Sequence, residues 1–222
     1  GTMPIPAPSA RSSLVLILGA VCLVLAGMLP GSSPAALAQE GTPATLLGQD
    51  ADAPCGTGRL TIGDLEGAEA SMASGAETAA AKATQWQPDA RLFTLRLGCP
   101  LLTTGYQWDG TFFSATAQAF YSTDSGKIEA SDDNPDDVPT LSLEGLSLRT
   151  LYRSLIRAGF TDAALLSASA GVTIRPSTEA MPFGPPSAPR GQIYAHVAIE
   201  DRGQVTDVWV SMADGTIYRY ER

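Results

Sequence analysis

The chain predicts an α+β fold built in tandem: two units, each a helix followed by three to four strands of antiparallel sheet, with the helices packed on one sheet face. Three observations predict it. The segment DARLFTLRLG at 89–98 returns 73 positions later as DAALLSASAG, with the same Asp-Ala-x-Leu opening and the same closing Gly. A second pair, YSTDSGKI at 121–128 and VSMADGTI at 210–217, agrees at Ser, Gly and Ile with an offset of 89. The offsets differ by 16, the length of RPSTEAMPFGPPSAPR at 175–190, whose five prolines oppose regular structure. One inserted loop therefore puts both echoes in a common order, as an internal repeat requires.

Residues 1–38 read as a secretion signal. Arg11 supplies a short basic region, residues 14–29 are apolar and uncharged, and Ala36-Leu37-Ala38 offers a small-x-small cleavage pattern. As a retained anchor, the 16 apolar residues would span only about 24 Å of a hydrocarbon core about 30 Å thick. Cys22 lacks the small residue that precedes a lipidated cysteine. Residues 39–62, rich in Gly, Pro, Ala, Thr and Asp, read as a linker. The first unit takes residues 63–139 and the second 140–222, with the proline-rich loop at 175–190.

Residues 64–85 have a helical composition of Ala, Glu, Met and Lys, with a break expected near Gly75. In SLRTLYRSLIRAGF, residues Leu148, Leu151, Leu155 and Ile156 share a face opposite Arg149, Arg153 and Arg157; Ser147 suits the N-cap and Gly159 the stop. Alternation places Phe93, Leu95 and Leu97 on one side of the first echo, and reads TFFSATAQAFY as a single strand. It also sets Ile193, Ala195, Val197 and Ile199 against Tyr194, His196 and Ala198. VTDVWVS and TIYRYE then form a hairpin around Ala213-Asp214-Gly215.

The formal net charge is −9, and losing residues 1–38 removes one Arg and no acid, leaving 13 basic and 23 acidic residues. Such a balance opposes nucleic-acid and anionic-membrane binding, which need basic patches. Cys55 and Cys99 are the two cysteines past residue 38, and in an oxidising compartment they are expected to pair as a disulfide. One histidine and two cysteines are too few for a zinc site, and no phosphate loop or nucleophile elbow is present, so no metal, cofactor or catalytic residue is assigned. The acidic run EASDDNPDDVP has Asp137 where an EF-hand loop needs Gly and Leu143 where it needs Glu, so a solvated loop is the expectation and a calcium site the alternative.

The order of helix, Asp-Ala-x-Leu strand, meander and closing Ser-x-x-x-Gly-x-Ile hairpin resembles the PepSY-like family, and in doubled form the β-lactamase inhibitor protein-like proteins. That resemblance implies an extracytoplasmic protein that binds or inhibits other proteins, and implies no catalytic residue. The residues themselves supply a candidate surface: with Val208 and Val210 facing the helix, Tyr194, His196 and Trp209 share the opposite sheet face, joined by Tyr218 and Tyr220. The reading is a secreted or envelope-associated, non-enzymatic module engaging a protein partner through these residues and the proline-rich loop. The alternatives are a hydrolase using His196 with a Ser and an Asp, and a membrane-tethered structural or sensor domain.

Overall fold

In chain order the computed structural model runs α1 (Asp64–Ala68), one 3-10 turn (Glu69–Ser71), α2 (Met72–Trp86), β1 (Arg91–Leu101), β2 (Gly105–Ser114), β3 (Ala119–Ser122) and β4 (Ile128–Ala130). After a loop come α3 (Leu148–Arg157), β5 (Ala164–Leu166), β6 (Val172–Ser177), β7 (Gln192–Asp201), β8 (Gln204–Ser211) and β9 (Ile217–Glu221). The residues described are 60–101, 105–161, 164–166 and 171–221. The predicted signal at 1–38, most of the linker, Cys55 and the side chain of Cys99 lie outside them.

These strands form one antiparallel sheet in the order β4-β3-β2-β1-β6-β7-β8-β9, with β5 pairing β7 off that path. The expected α+β tandem of helix-plus-sheet units is thereby overturned: the fold is mainly β, with one long helix, α2. The physical reason is the pairing of β1 with β6, Leu95 opposite Ile174 and Leu97 opposite Val172. Two separate sheets would each expose an edge of unpaired N–H and C=O groups there, and joining them satisfies both edges at once. The join also merges the apolar faces. Leu95, Leu97, Val172, Ile174, Ala195, Val197, Val208 and Val210 form one buried cluster beneath Leu65, Leu148, Leu151 and Leu155 of the helices. Residues 60–62, expected to end the linker, belong to that core: Leu60 and Ile62 are buried, and Leu60 O accepts a bond from Leu165 N at 2.8 Å.

The echoes have unequal fates. Both YSTDSGKI and VSMADGTI are hairpin turns with matching bonds: Ser122 N to Lys127 O and Ser211 N to Thr216 O are each 2.9 Å, with Gly126 at φ 68° and Gly215 at φ 75°. Their shared Gly answers the left-handed conformation that such a turn requires. By contrast, 89–98 enters the central strand β1, whereas residues 164–166 of the second echo form the short β5 beside β7, and it is β6 that meets β1.

Four local expectations change for identifiable reasons. The helical break falls at the 3-10 turn Glu69–Ser71, and Gly75 lies inside α2, where the indole of Trp108 rests against it. TFFSATAQAFY is a hairpin with Ala115 to Gln118 as its turn; Gln118 has φ 47°. Asp89, in the turn after α2, holds that hairpin, accepting from Ser114 Oγ at 2.7 Å and Thr116 N at 2.9 Å. The register slips between Leu92 and Thr94, so Phe93 leaves the side of Leu95 and Leu97 and packs instead with Phe113 and Val138. Pro176, placed by sequence in the inserted loop, is within β6 opposite Ile193, beyond the stretch that pairs with β1, where an open edge tolerates a residue without N–H.

The turns make acid stability testable. Hydrogen bonds from Ser114 and the Thr116 backbone lower the Asp89 pKa, and the Thr116-like backbone donor of Thr216 lowers that of Asp214. At Asp124 partial burial acts upward and is outweighed by Ser122, Arg96 and Ser125. Groups with depressed folded pKa values stabilise above the unfolded pKa, about 3.9 for Asp, and lose that contribution as pH falls through the folded value. The denaturation midpoint should therefore hold from pH 7 to about 5 and fall below about 4. Asp89→Asn should fall less steeply than wild type over that window in urea titrations; an equally steep fall would remove Asp89 from the account.

Candidate functional site

Period-two alternation along β7 and β8 sends alternate side chains away from the helices, and the register lines them up. His196 is paired with Trp209, which is paired with Tyr218; on the other side His196 meets Thr173, and Thr173 meets Arg96. Asp207 is paired with Tyr220, and Tyr194 with Ser211 and Arg175. All five sequence-predicted binding residues thus fall on one face of β7 to β9. They are not equally accessible. Tyr194 has 0% exposure, Tyr220 has 60%, and Trp209 and Tyr218 are half-buried.

The cover over Tyr194 is the loop between β6 and β7. Tyr194 Oη donates to Pro189 O at 2.7 Å, and Gly191 N returns to Ser177 O at 2.7 Å, closing the loop at its base. Ser177 Oγ accepts from Phe183 N at 2.9 Å, fixing the loop's middle. Burial lifts the Tyr194 pKa, keeping the phenol protonated as the donor that this contact needs. Gly184, with φ 121°, brings its backbone against the indole: a Cβ there would lie 3.4 Å from Trp209 Cδ1. Tyr194 is consequently a fastening for the loop rather than a contact surface. The open part of the face is Tyr218 and Tyr220, with Trp209 half-buried beside them and touched by the loop at Gly184.

His196 stands at the rim of the loop. Its Nε2 is 3.0 Å from Asp207 Oδ1, its ring is 4.5 Å from that of Trp209, and Phe183 meets it edge-on at 6.2 Å. Tyr194 and Tyr218 make a T-shaped pair at 5.8 Å. Phe183 also lies 5.3 Å from the guanidinium of Arg175, whose other side is the ring of Phe93 at 4.4 Å. The succession Phe93, Arg175, Phe183, His196, Trp209 is a continuous run of stacked and edge-on groups across the face.

Sequence reasoning missed Arg175, Phe183 and Asp207. Asp207 was within reach, two residues before Trp209 on the same strand. Arg175 and Phe183 were assigned to a proline-rich loop, which hid the strand position of the first and the inward packing of the second. In the acidic run, Asp133 Oδ2 accepts from Ser131 Oγ at 2.7 Å and Asn134 Oδ1 from Asp136 N at 3.3 Å. Among the described residues no group of three or more His, Cys, Asp or Glu is placed to hold a metal ion, and no helix is long and apolar enough to cross a membrane.

No family model matches the chain, and no curated protein matches it. Among solved structures it is similar to a candidate lipoprotein from Clostridium difficile 630, at 10% identity and a TM-score of 0.41, over 66% of this chain and 92% of that one. A likeness that remote says nothing of what this chain does.

Proposed function

We propose that this is a non-enzymatic, extracytoplasmic binding module that engages a protein partner through the open end of the aromatic face. The observation that carries the reading is the side-by-side placement of Tyr218 and Tyr220 on β9 next to Trp209 on β8, with Tyr220 60% exposed and Tyr218 and Trp209 half-buried. Large rings with polar tips on a rigid sheet give contact area at low entropic cost, the composition of interface hot spots. The sequence resemblance to PepSY-like proteins and the signal-like pattern of residues 1–38 support the same reading. A hydrolytic use of His196 is less well served. Asp207 orients the imidazole as a triad would, but Ser211 on the same face of β8 is opposite Tyr194, one pair away from His196.

Affinity capture from a native envelope and secretome fraction tests it. Trp209→Ala and Tyr220→Ala should each lower recovery of a captured partner at least about tenfold, the effect of losing one hot-spot side chain, with the circular dichroism spectrum unchanged. Equal recovery by both variants would sink the proposal.

A further inference from the structure

Arg175 is held as arginines that meet anions are held, yet among the described residues no carboxylate is bonded to it. Its guanidinium lies between two phenyl rings, 4.4 Å from Phe93 and 5.3 Å from Phe183, so its plane is fixed before any ligand arrives. Among the described residues it makes no ion pair and no hydrogen bond. Nε is buried without a partner, while the residue as a whole is half-buried. The acid whose field reaches it is Asp133, and that carboxylate turns to its own loop, accepting from Ser131 Oγ at 2.7 Å. Burial pulls the Arg175 pKa downward and Asp133 pulls it back up; a guanidinium remains charged at neutral pH under any such balance. A desolvated cation with no directly bonded acceptor is costly to keep.

We infer that Arg175, clamped between Phe93 and Phe183 at the mouth of the proline-rich loop, is a preformed receptor for a carboxylate. A planar guanidinium matches a two-oxygen acceptor, and apolar rings beside such a pair lower the local dielectric, which strengthens it. The carboxylate would come from an acidic side chain or from a chain terminus of the partner. The biological source rests on the binding reading above; the receptor chemistry does not.

The test uses the full chain and follows by NMR the Arg175 Nε–Hε resonance together with the backbone amides of residues 172–191, which report binding in the variants that lack the arginine. The probes are sodium acetate, the side-chain carboxylate of N-acetyl-Gly-Asp-Gly-amide and the terminal carboxylate of N-acetyl-Gly-Gly-Gly, each against sodium chloride of equal ionic strength. The Arg175 signal should shift saturably with acetate, and the tighter of the two peptides identifies the source. Arg175→Lys should bind about tenfold more weakly, since a point charge replaces the stacked fork, and Arg175→Gln should give no saturable response. Phe183→Ala keeps the charge and removes one wall, so it should weaken binding even where Arg175→Gln folds poorly. No saturable shift with any carboxylate, or an equal shift in a folded Arg175→Gln protein, would overturn the inference; unchanged affinity in Phe183→Ala would overturn the clamp. A failed partner capture beside a positive acetate titration would sink the aromatic-face reading and leave the receptor standing.

Discussion

Gly75→Ala is expected to destabilise the protein by about 2 kcal/mol, although the same change in an unobstructed helix stabilises by about 1 kcal/mol. A Cβ at Gly75 would lie 2.5 Å from Cβ, Cγ and Cδ1 of Trp108. Those atoms are at the root of the side chain, so no rotation of the indole clears the contact; β2 and α2 must separate. Trp108 is buried, and its Nε1 donates to Ser71 Oγ at 2.9 Å, so separation also strains that bond. Overpacking of this kind costs about 1–3 kcal/mol and a buried hydrogen bond about 1 kcal/mol, together exceeding the helical gain. Gly67→Ala supplies the contrast. Its nearest obstacle, at 2.6 Å, is the hydroxyl oxygen at the far end of Tyr106, which can swing aside. That variant should stay within about 0.5 kcal/mol of wild type. Urea titrations of the two variants decide the matter: a neutral or stabilising Gly75→Ala would mean that the helix and β2 do not approach as closely as the structure has them.

Gly75 also shows why parts of the fold could be read from sequence and others could not. Composition marked it as a weak point of the helix and so as a break, because propensity registers the missing side chain but not the indole that fills the space. Where the determinants are local the reading succeeds. Ser147 caps α3, Leu148, Leu151 and Leu155 bury its inner face, and Gly159 with φ 90° ends it, all within 13 residues of each other, although Ile156, read on the same face, is 39% exposed. Where the determinants are distant it fails. The turn from Ala115 to Gln118 contains no Gly, Pro, Asn or Asp, and its carboxylate acceptor, Asp89, is 27 residues away from Thr116. The pairing of β1 with β6 joins segments roughly eighty residues apart, and alternation specifies which face of a strand is apolar but not which strand lies beside it. The candidate site divides in the same way. The shared face of Tyr194, His196, Trp209, Tyr218 and Tyr220 follows from a period of two, whereas the burial of Tyr194 depends on the return of a proline-rich loop.

A long-range cap of the same kind sets the other large effect: Glu69→Ala should cost about 2 kcal/mol, and Glu69→Gln about half as much. The 3-10 turn that interrupts the first helical stretch aims the Glu69 carboxylate at the N-terminus of α3. Oε1 accepts from Ser147 Oγ at 2.8 Å, and Oε2 accepts from the backbone N–H of Leu148 and, at 3.2 Å, from that of Arg149. The first N–H groups of a helix have no partner within it, and the helix dipole places partial positive charge there, so a carboxylate is favoured on both counts. Alanine leaves the Leu148 N–H without its acceptor, whereas Arg149 keeps Ser147 Oγ at 3.2 Å. Glutamine retains an oxygen acceptor but no charge. Ser147→Ala removes the local cap, and because Ser147 and Glu69 are bonded to each other and both accept from the Arg149 N–H, the cost of the double variant should depart from the sum of the two. Hydrogen exchange locates the loss: amides of α3 should exchange faster in Glu69→Ala while those of β7 and β8 hold, since the strands keep their ladder bonds when the helix frays. Glu69→Ala within about 0.5 kcal/mol of wild type, or faster exchange spread evenly over the sheet, would show that α3 is held by its apolar face alone.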